Sequence, residues 1–239
     1  GTNFEYLDKL NIGLGTSSFY EKIETDATAS TRQKSQEGDY WDTFLTFSTD
    51  LDKRNQRFKT TDESRTYYSL DLPIISDNNT LTNTLSYKSY FELYENNITS
   101  YGFFLQGANS ITNDDIKLSE RLYIPGRKLR GFESGKIGPK DGSDFIGGNY
   151  VSTINATTTI PKILENVQSV DIVVFADAAN IWGVDYDSSL DKSGIRSSVG
   201  VGLDWLTPVG PLTFSFAQPI TKESTDIEET FRFNIGTSF

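Results

Sequence analysis

The sequence predicts an all-β fold, a transmembrane antiparallel β-barrel of about ten strands. Apolar and polar residues alternate with a period of two over most of the chain, helix signals are scarce, and aromatic residues make up 13% of the composition. The predicted strands are long enough to supply the roughly 9–11 tilted residues that cross a bilayer. The predicted strands are 6–24, 40–53, 63–75, 80–94, 98–110, 147–160, 169–182, 195–207, 210–220 and 227–239.

The alternation is clearest in three segments. It runs from Trp41 to Leu51, from Leu81 to Leu93 and from Val199 to Trp205, with the larger apolar residues mostly at odd positions. The intervening residues are mainly small, hydroxylic or acidic, which suits a water-filled lumen behind a lipid-facing wall. A soluble β-sandwich would need more bulky aliphatic residues to cover a second face.

The mean hydropathy of −0.42 fits this interpretation, because a membrane barrel averages lipid-facing and lumen-facing residues. No apolar run reaches the roughly 18–20 residues of a transmembrane helix. The net charge of −11 argues against nucleic-acid binding through a basic surface. Because the chain has no Cys and no His, thiolate and His-ligated metal sites and Ser-His-Asp triads are excluded. We expect no cofactor, no metal and no enzymatic activity.

The predicted connections differ in length. The links at 76–79, 95–97 and 208–209 are short, whereas the other links are mostly long and polar. Short turns on one rim and long loops on the other are typical of outer-membrane barrels, although the link at 161–168 is long for its rim. The longest connection, 111–146, contains Gly and Pro at several turn positions, which indicates an ordered and functional loop. The long links are 25–39, 54–62, 111–146, 183–194 and 221–226.

Short motifs follow one another in the second half of the chain. They are Leu129-Arg130-Gly131-Phe132, Lys136-Ile137-Gly138-Pro139, Gly147-Gly148-Asn149, the strand from Phe175 to Trp182, the hairpin from Ile195 to Leu212, and the aromatic-ended segment from Phe231 to Phe239. In this order they resemble motifs of the BamA family of outer-membrane proteins, beginning with its Arg-Gly-Phe loop motif. One departure is Ala179, where the family usually has Gly. The specific matches cover about residues 120–239.

This resemblance implies a sixteen-stranded barrel that follows periplasmic POTRA domains. Residues 1–239 would then be the C-terminal part of the barrel domain and hold its last ten strands, without the POTRA domains and the first strands. The loop 111–146 would fold into the lumen. The resemblance implies three groups of site residues: the loop motif Arg130, Gly131 and Phe132; its partner Asp177 on the barrel wall; and a lateral seam at Phe231, Phe233, Ile235, Gly236 and Phe239.

The resemblance also implies a function: the protein would be an assembly factor that inserts barrel proteins into the outer membrane of a Gram-negative bacterium. Its partners would be unfolded barrel clients, outer-membrane lipid and accessory lipoproteins recruited through periplasmic domains. A two-partner secretion transporter, or a related polypeptide translocator of the same superfamily, is the alternative, because it shares the Arg-Gly-Phe loop. A passive porin-like barrel is a third possibility, against which the motif-rich loop argues.

Overall fold

One large antiparallel sheet forms the wall of the protein. The computed structural model describes residues 1–57, 59–77, 79–112, 114–160, 169–191, 193–208 and 210–236. The elements, in chain order, are β1 (Thr2–Leu7), β2 (Leu10–Ile23), α1 (Thr31–Lys34), β3 (Gly38–Asp52), β4 (Glu63–Ser76), β5 (Thr80–Tyr94), β6 (Asn97–Ser110), β7 (Gly131–Phe132), β8 (Lys140–Asp141), β9 (Asp144–Phe145), β10 (Tyr150–Thr159), β11 (Val170–Trp182), β12 (Arg196–Thr207), β13 (Gly210–Thr221), β14 (Glu228–Glu229) and β15 (Phe231–Ile235). Single 3-10 turns cover Leu118–Glu120 and Ser188–Leu190.

Each wall strand pairs with the next wall strand along the chain. The order is β1-β2-β3-β4-β5-β6-β10-β11-β12-β13-β15, so the predicted all-β, antiparallel fold is confirmed. The strands β1 and β15 lie at the two ends of this order. Among the described residues, no helix is both long and apolar enough to cross a membrane.

The predicted first strand, 6–24, is wrong at its beginning. A turn lies there, and β1 and β2 form a hairpin on its two sides. The chain reverses at Asp8 and Lys9, and Leu7 pairs with Leu10. Lys9 has a φ of 63°, the left-handed conformation that tight hairpin turns require but that Lys seldom marks in a sequence. In the described part of the chain, the sheet therefore has eleven strands rather than ten.

The predicted last strand, 227–239, is divided between two partners. β14 pairs with β7 in the long loop, whereas β15 pairs with β13 of the wall. Thr230 lies between them. Phe239, predicted as part of the seam, lies outside the described residues, as does the link at 161–168.

The links alternate less regularly in length than predicted. The rim that carries links 24–37, 111–149, 183–195 and 222–227, here called the loop rim, also carries the short link 77–79. The opposite rim, the turn rim, carries the two-residue links 8–9, 95–96 and 208–209, together with the ten-residue link 53–62. Two links thus depart from the pattern of short turns on one rim and long loops on the other.

The outward face of the sheet is apolar and exposed. Val201 in β12 is 50% exposed, and Phe216 in β13 is 54% exposed. Neighbouring outward side chains form ring contacts across strands, such as Phe216 with Phe231 at 4.9 Å between centroids. An apolar face without a covering layer is expected where lipid, rather than protein, is the neighbour.

The core of the protein lies between the long loop and the inward face of the wall. The expected water-filled lumen is wrong for this part of the sheet, because inward residues of β11 such as Phe175 and Ile181 are apolar and buried. The loop covers them and thereby supplies the second layer that the wall lacks. The buried cluster contains Ala108, Ile116, Leu122, Ile124, Leu129, Phe132, Ile137, Val151, Ala179 and Ile181.

Candidate functional site

Arg130 of the long loop and Asp177 of β11 meet on the inward face of the sheet. The Arg130 Nε donates to Asp177 Oδ2 at 2.7 Å, and Nη2 donates to Oδ1 at 2.8 Å. The Arg130 backbone N–H also donates to Oδ2, at 3.1 Å. The Asp177 side chain is fully buried, and that of Arg130 is 14% exposed. This is a bidentate, charge-assisted pair in a largely water-free position.

Neighbouring polar side chains form further hydrogen bonds to Asp177 and to the loop backbone around Arg130. The Asn155 amide donates to Asp177 Oδ1 at 2.8 Å and to the carbonyl oxygen of Lys128 at 2.7 Å. The Ser198 hydroxyl donates to the carbonyl oxygen of Arg130 at 2.5 Å. Three adjacent strands, β10, β11 and β12, therefore contribute one side chain each to hold the loop backbone in a single position.

An aromatic ring lies under the guanidinium. The Arg130 Cζ is 3.3 Å from the centroid of the Phe175 ring, which is a cation–π contact. Gly200 of β12 provides the room for this ring, since a Cβ there would lie 2.5 Å from Phe175 Cζ. The alternation of β11 explains the stacking, because Phe175 and Asp177 are two residues apart and share a face.

Gly131 and Phe132 lie directly after Arg130 and form β7. Gly131 has a φ of +91°, and a Cβ on it would lie 3.2 Å from the Cβ atoms of both Ala217 and Ser198. A side chain would therefore be strained by the backbone and crowded by β12 and β13. Phe132 is fully buried in the core cluster. The three loop-motif residues thus have separate roles, as ion-pair partner, close-approach turn and apolar anchor.

A second buried ion pair joins β12 to the link before β14. Arg196 Nε donates to Asp226 Oδ2 at 2.9 Å, and both side chains are fully buried. Asp226 also accepts from the backbone N–H groups of Gly138, at 3.2 Å, and Glu223, at 2.8 Å. The pair therefore connects the long loop to the segment that leads into the C-terminal strands.

A third pair holds the beginning of the long loop. Arg121 contacts Asp185 and also donates to Asn149 Oδ1 at 3.1 Å. Asp185 Oδ2 accepts from the Ile116 N–H at 2.8 Å. Burial by itself would raise the pKa of Asp185, but the Ile116 N–H and the Arg121 guanidinium outweigh it and lower the pKa.

The described seam residues lie on β15, except for Gly236, which follows it. Phe231, Phe233 and Ile235 point outward and are 46%, 44% and 63% exposed. Gly236 has a φ of +95°, and its N–H donates to the Pro211 carbonyl at 2.8 Å. Between the outward aromatics, Arg232 points inward, where it donates to the carbonyl oxygens of Gly126 and Phe132 and pairs with Glu229.

Sequence reasoning missed the contacts of Arg121, Arg196 and Arg232. One local signal exists for Arg232, since a charged residue between two outward aromatics must face inward and needs a partner there. Arg196 carries the same signal less clearly, between Ile195 and Ser197. Their partners lie far away in the chain or on backbone carbonyls, which no spacing in the sequence indicates.

Comparisons with known proteins agree with this geometry. The sequence matches the Omp85 superfamily domain over residues 3–239. The chain belongs to the Omp85 superfamily. It is therefore an outer-membrane protein, as predicted.

Within the Omp85 superfamily, the resemblance to BamA is confirmed. The outer membrane protein assembly factor BamA of Neisseria meningitidis is 31% identical over 154 residues, covering 52% of this chain and 19% of that protein. A SAM50-like protein of Schizosaccharomyces pombe is 30% identical over 142 residues, 55% of this chain and 29% of that protein. The chain spans less than a third of the length of these relatives.

A solved structure supports the fold assignment over almost the whole chain. It is that of BamA from Haemophilus ducreyi lacking POTRA domains 1–3, which superposes with a TM-score of 0.86 at 25% identity. The match covers 97% of this chain and 52% of that structure. The Omp85 wall and its long loop are thus shared between the two proteins.

Proposed function

We propose that this Omp85 chain is part of an outer-membrane protein assembly factor that inserts β-barrel clients without enzymatic chemistry. One observation carries the proposal: β15 ends the sheet as a strand of five residues, with an apolar outward face and an edge away from β13. A strand edge offers unpaired backbone groups to another strand. In a bilayer, where unpaired N–H and C=O groups are costly, such an edge is a template on which a client strand can form.

The loop supports this function by keeping the rest of the wall rigid. The buried pairs Arg130–Asp177 and Arg196–Asp226 hold the loop on β11 and β12, next to the terminal hairpin. Among the described residues, β15 pairs with β13 over only five residues, as β1 does with β2, so it belongs to the most weakly paired part of the wall and opens easily. A polypeptide translocator would instead need the loop to leave the lumen, which would break the Arg130–Asp177 pair and the hydrogen bond from the Gly138 N–H to Asp226.

The proposed partners follow from this mechanism. Unfolded barrel proteins are the clients, outer-membrane lipid surrounds the apolar outward face, and accessory lipoproteins bind through periplasmic domains of the whole protein. None of these partners is a nucleic acid, in keeping with the net charge of −11.

A disulfide lock tests the proposal. One cysteine replaces Asn234 in β15, and the other replaces a residue opposite it on the strand that meets β15 at the seam of the full-length barrel. The protein is reconstituted in liposomes, and folding of a barrel client is followed by heat-modifiable mobility. We expect the oxidised protein to lose most of its acceleration of client folding and the reduced protein to keep it. Equal acceleration in both states would contradict a role for the edge.

A further inference from the structure

A depression interrupts the outward face of the wall around Gly107 of β6. Since the next residue, Ala108, is fully buried in the core cluster, Gly107 faces outward. It has no side chain, so the surface is lower there than on the neighbouring strands. The resulting space, here called the Gly107 groove, has a volume of about 290 Å³ and mainly apolar walls. Its lining includes Tyr68, Asn83, Leu85, Leu105, Tyr150 and Trp182.

The Gly107 groove lies close to the loop rim. β6 ends at Ser110, so only residues 108–110 of this strand lie between Gly107 and the rim. At about 3.4 Å per residue and a strand tilt of about 45°, Gly107 is about 7 Å below the end of the strand. Tyr and Trp are enriched at such depths, where lipid headgroups give way to acyl chains. The rings of Tyr150 and Trp182, with centroids 5.7 Å apart, fit this position.

Hydrogen bonds fix two of the aromatic walls of the groove. On one side, the Tyr68 hydroxyl donates to Asn83 Oδ1 at 2.8 Å. On the other side, the Tyr150 hydroxyl donates to Asn109 Oδ1 at 2.7 Å. The Tyr150 ring lies directly beside the floor, because a Cβ on Gly107 would be 3.4 Å from its Cδ1. The groove is thus formed before a ligand binds, which lowers the entropic cost of binding.

The side-chain amide of Asn83 has an unused donor in this groove. Its oxygen accepts from Tyr68, whereas its Nδ2 group donates to no residue in the described part of the chain. An amide donor that faces lipid without an acceptor is costly, because hydrocarbon offers no hydrogen bond. The ester carbonyl oxygens of acyl lipids lie at this depth and are acceptors. None of the described lining residues is Lys or Arg, so the groove offers no cation to a phosphate.

We propose that the Gly107 groove binds one ester-linked acyl chain of a membrane lipid in the leaflet at the loop rim, with Asn83 Nδ2 donating to the ester carbonyl. A cavity of about 150 Å³ accommodates benzene, so the groove has room for on the order of ten chain carbons. The chain fills a depression in a face that already contacts lipid and thereby restores dispersion contacts. Each strand around the groove has a neighbour on both sides, so the site is independent of the seam and of the proposed function.

A pair of lipids tests the hydrogen bond without any substitution. The full-length protein in detergent micelles is titrated with phosphatidylcholine whose chains, of equal length, are either ester-linked or ether-linked. Native mass spectrometry measures the fraction of protein with one bound lipid. The ether lipid lacks the carbonyl acceptor, so we expect the ester lipid to bind about 3- to 10-fold more tightly. Equal affinities for the two lipids would overturn the role of Asn83.

Substitutions locate the site. Gly107→Leu fills the groove, and we expect it to lower the affinity for both lipids by about 10-fold or more. Asn83→Leu should still bind lipid but without a preference for the ester. The control is Ala156→Leu, which adds an apolar side chain at an exposed position of β10 outside the lining and should bind both lipids as the wild type does.

Heat-modifiable mobility shows that each variant is folded before its lipid binding is compared. Wild-type affinity in Gly107→Leu would overturn the groove as the binding site. An ester preference that persists in Asn83→Leu would overturn the proposed donor. An equal loss of affinity in Gly107→Leu and Ala156→Leu would show that the effect is not specific to the groove, and would likewise overturn the proposal.

Discussion

At the scale of single residues, arginines hold the loop against the wall. Arg121 and Arg130 belong to the loop itself, and Arg196 and Arg232 belong to β12 and β15. Each one has a carboxylate partner. Buried ion pairs contribute little net stability relative to apolar residues, but losing one partner leaves a charge uncompensated. We infer that these pairs specify one position of the loop.

The first prediction concerns the pair between the loop and β11. Asp177→Ala leaves the Arg130 guanidinium without its carboxylate, so we expect the free energy of unfolding to fall by about 3 kcal/mol or more. Thermal loss of heat-modifiable mobility measures the change. Asp171→Ala is the control on the same strand, since Asp171 pairs with Lys59 at a position where both side chains are at least one-third exposed. It should cost about 1 kcal/mol or less, and equal losses in both variants would contradict the assignment.

The second prediction concerns pH. Burial raises the pKa of Glu120 to about 7; the Asp42 and Glu21 carboxylates add to the rise, and the Thr80 hydroxyl and the Lys117 ammonium oppose it. The folded protein therefore keeps a proton that the unfolded chain loses above its ordinary pKa of 4.5. The contribution of Glu120 to stability should therefore be largest below pH 4.5 and should be lost as the pH rises to about 7.

Glu120→Gln removes this titration. We expect the melting temperature of the variant to vary less than that of the wild type between pH 5 and pH 7, as measured in detergent by circular dichroism. Parallel curves for the two proteins over this range would show that Glu120 does not titrate as described.

At the scale of elements, the long loop acts as the second layer of the fold. Its apolar residues, including Leu129 and Phe132, cover inward residues of β10 and β11. Its short strand β7 pairs with β14, so the loop also takes part in the backbone pairing of the C-terminal segment. A change that lifts the loop should therefore loosen the C-terminal strands as well.

The third prediction compares two loop glycines with positive φ. Gly131 has a φ of +91° and would crowd Ala217 and Ser198 as alanine, whereas Gly135 has a φ of +74° and open space around it. Both alanine variants carry the backbone strain, but only Gly131→Ala must also push β12 and β13 away. Limited proteolysis should cut the loop markedly faster in Gly131→Ala than in Gly135→Ala. Equal cleavage rates would indicate that the close packing of Gly131 is unimportant.

Elements differ in how well the sequence predicted them. The wall strands were predictable because alternation acts within each strand, as in Val199–Trp205. The hairpin at Lys9 was not, since a positive φ at Lys carries no compositional signal. Arg130 and Asp177 were assigned through the resemblance, and the structure brings them together. The pair Arg196–Asp226 depends on how the link 222–227 folds back onto the beginning of β12, which local patterns do not encode.

At the scale of the whole molecule, the outward face defines the environment. Exposed apolar residues continue across neighbouring strands, from Ile154 in β10 to Val201 in β12 and Phe233 in β15. In water such a surface would aggregate, whereas in a bilayer it is the normal contact with lipid. The sheet thus has lipid on one face and its own loop on the other.

The fourth prediction separates these environments. Val201→Arg places a charge in the middle of the outward face. If this face lies in a bilayer, we expect the free energy of unfolding to fall by about 2–4 kcal/mol. If it lay in water, the change would be within about 0.5 kcal/mol. Ile195→Arg is the control, because Ile195 is 67% exposed at the loop rim, outside β12. We expect Val201→Arg to fold poorly into liposomes and Ile195→Arg to fold as well as the wild type. Equal folding of both variants would contradict a lipid-facing wall.

The proposed pairing of a client strand with the outer edge of β15 is tested most directly by cysteine cross-linking. On this edge Asn234 would form a non-hydrogen-bonded pair, with Cα atoms about 4.5 Å apart, within the range of a disulfide. Full-length protein carrying Asn234→Cys is mixed with clients that have single cysteines at successive positions of one strand. We predict disulfides at alternate client positions, with Ile195→Cys giving none. Absent cross-links, or cross-links without alternation, would contradict strand pairing at β15.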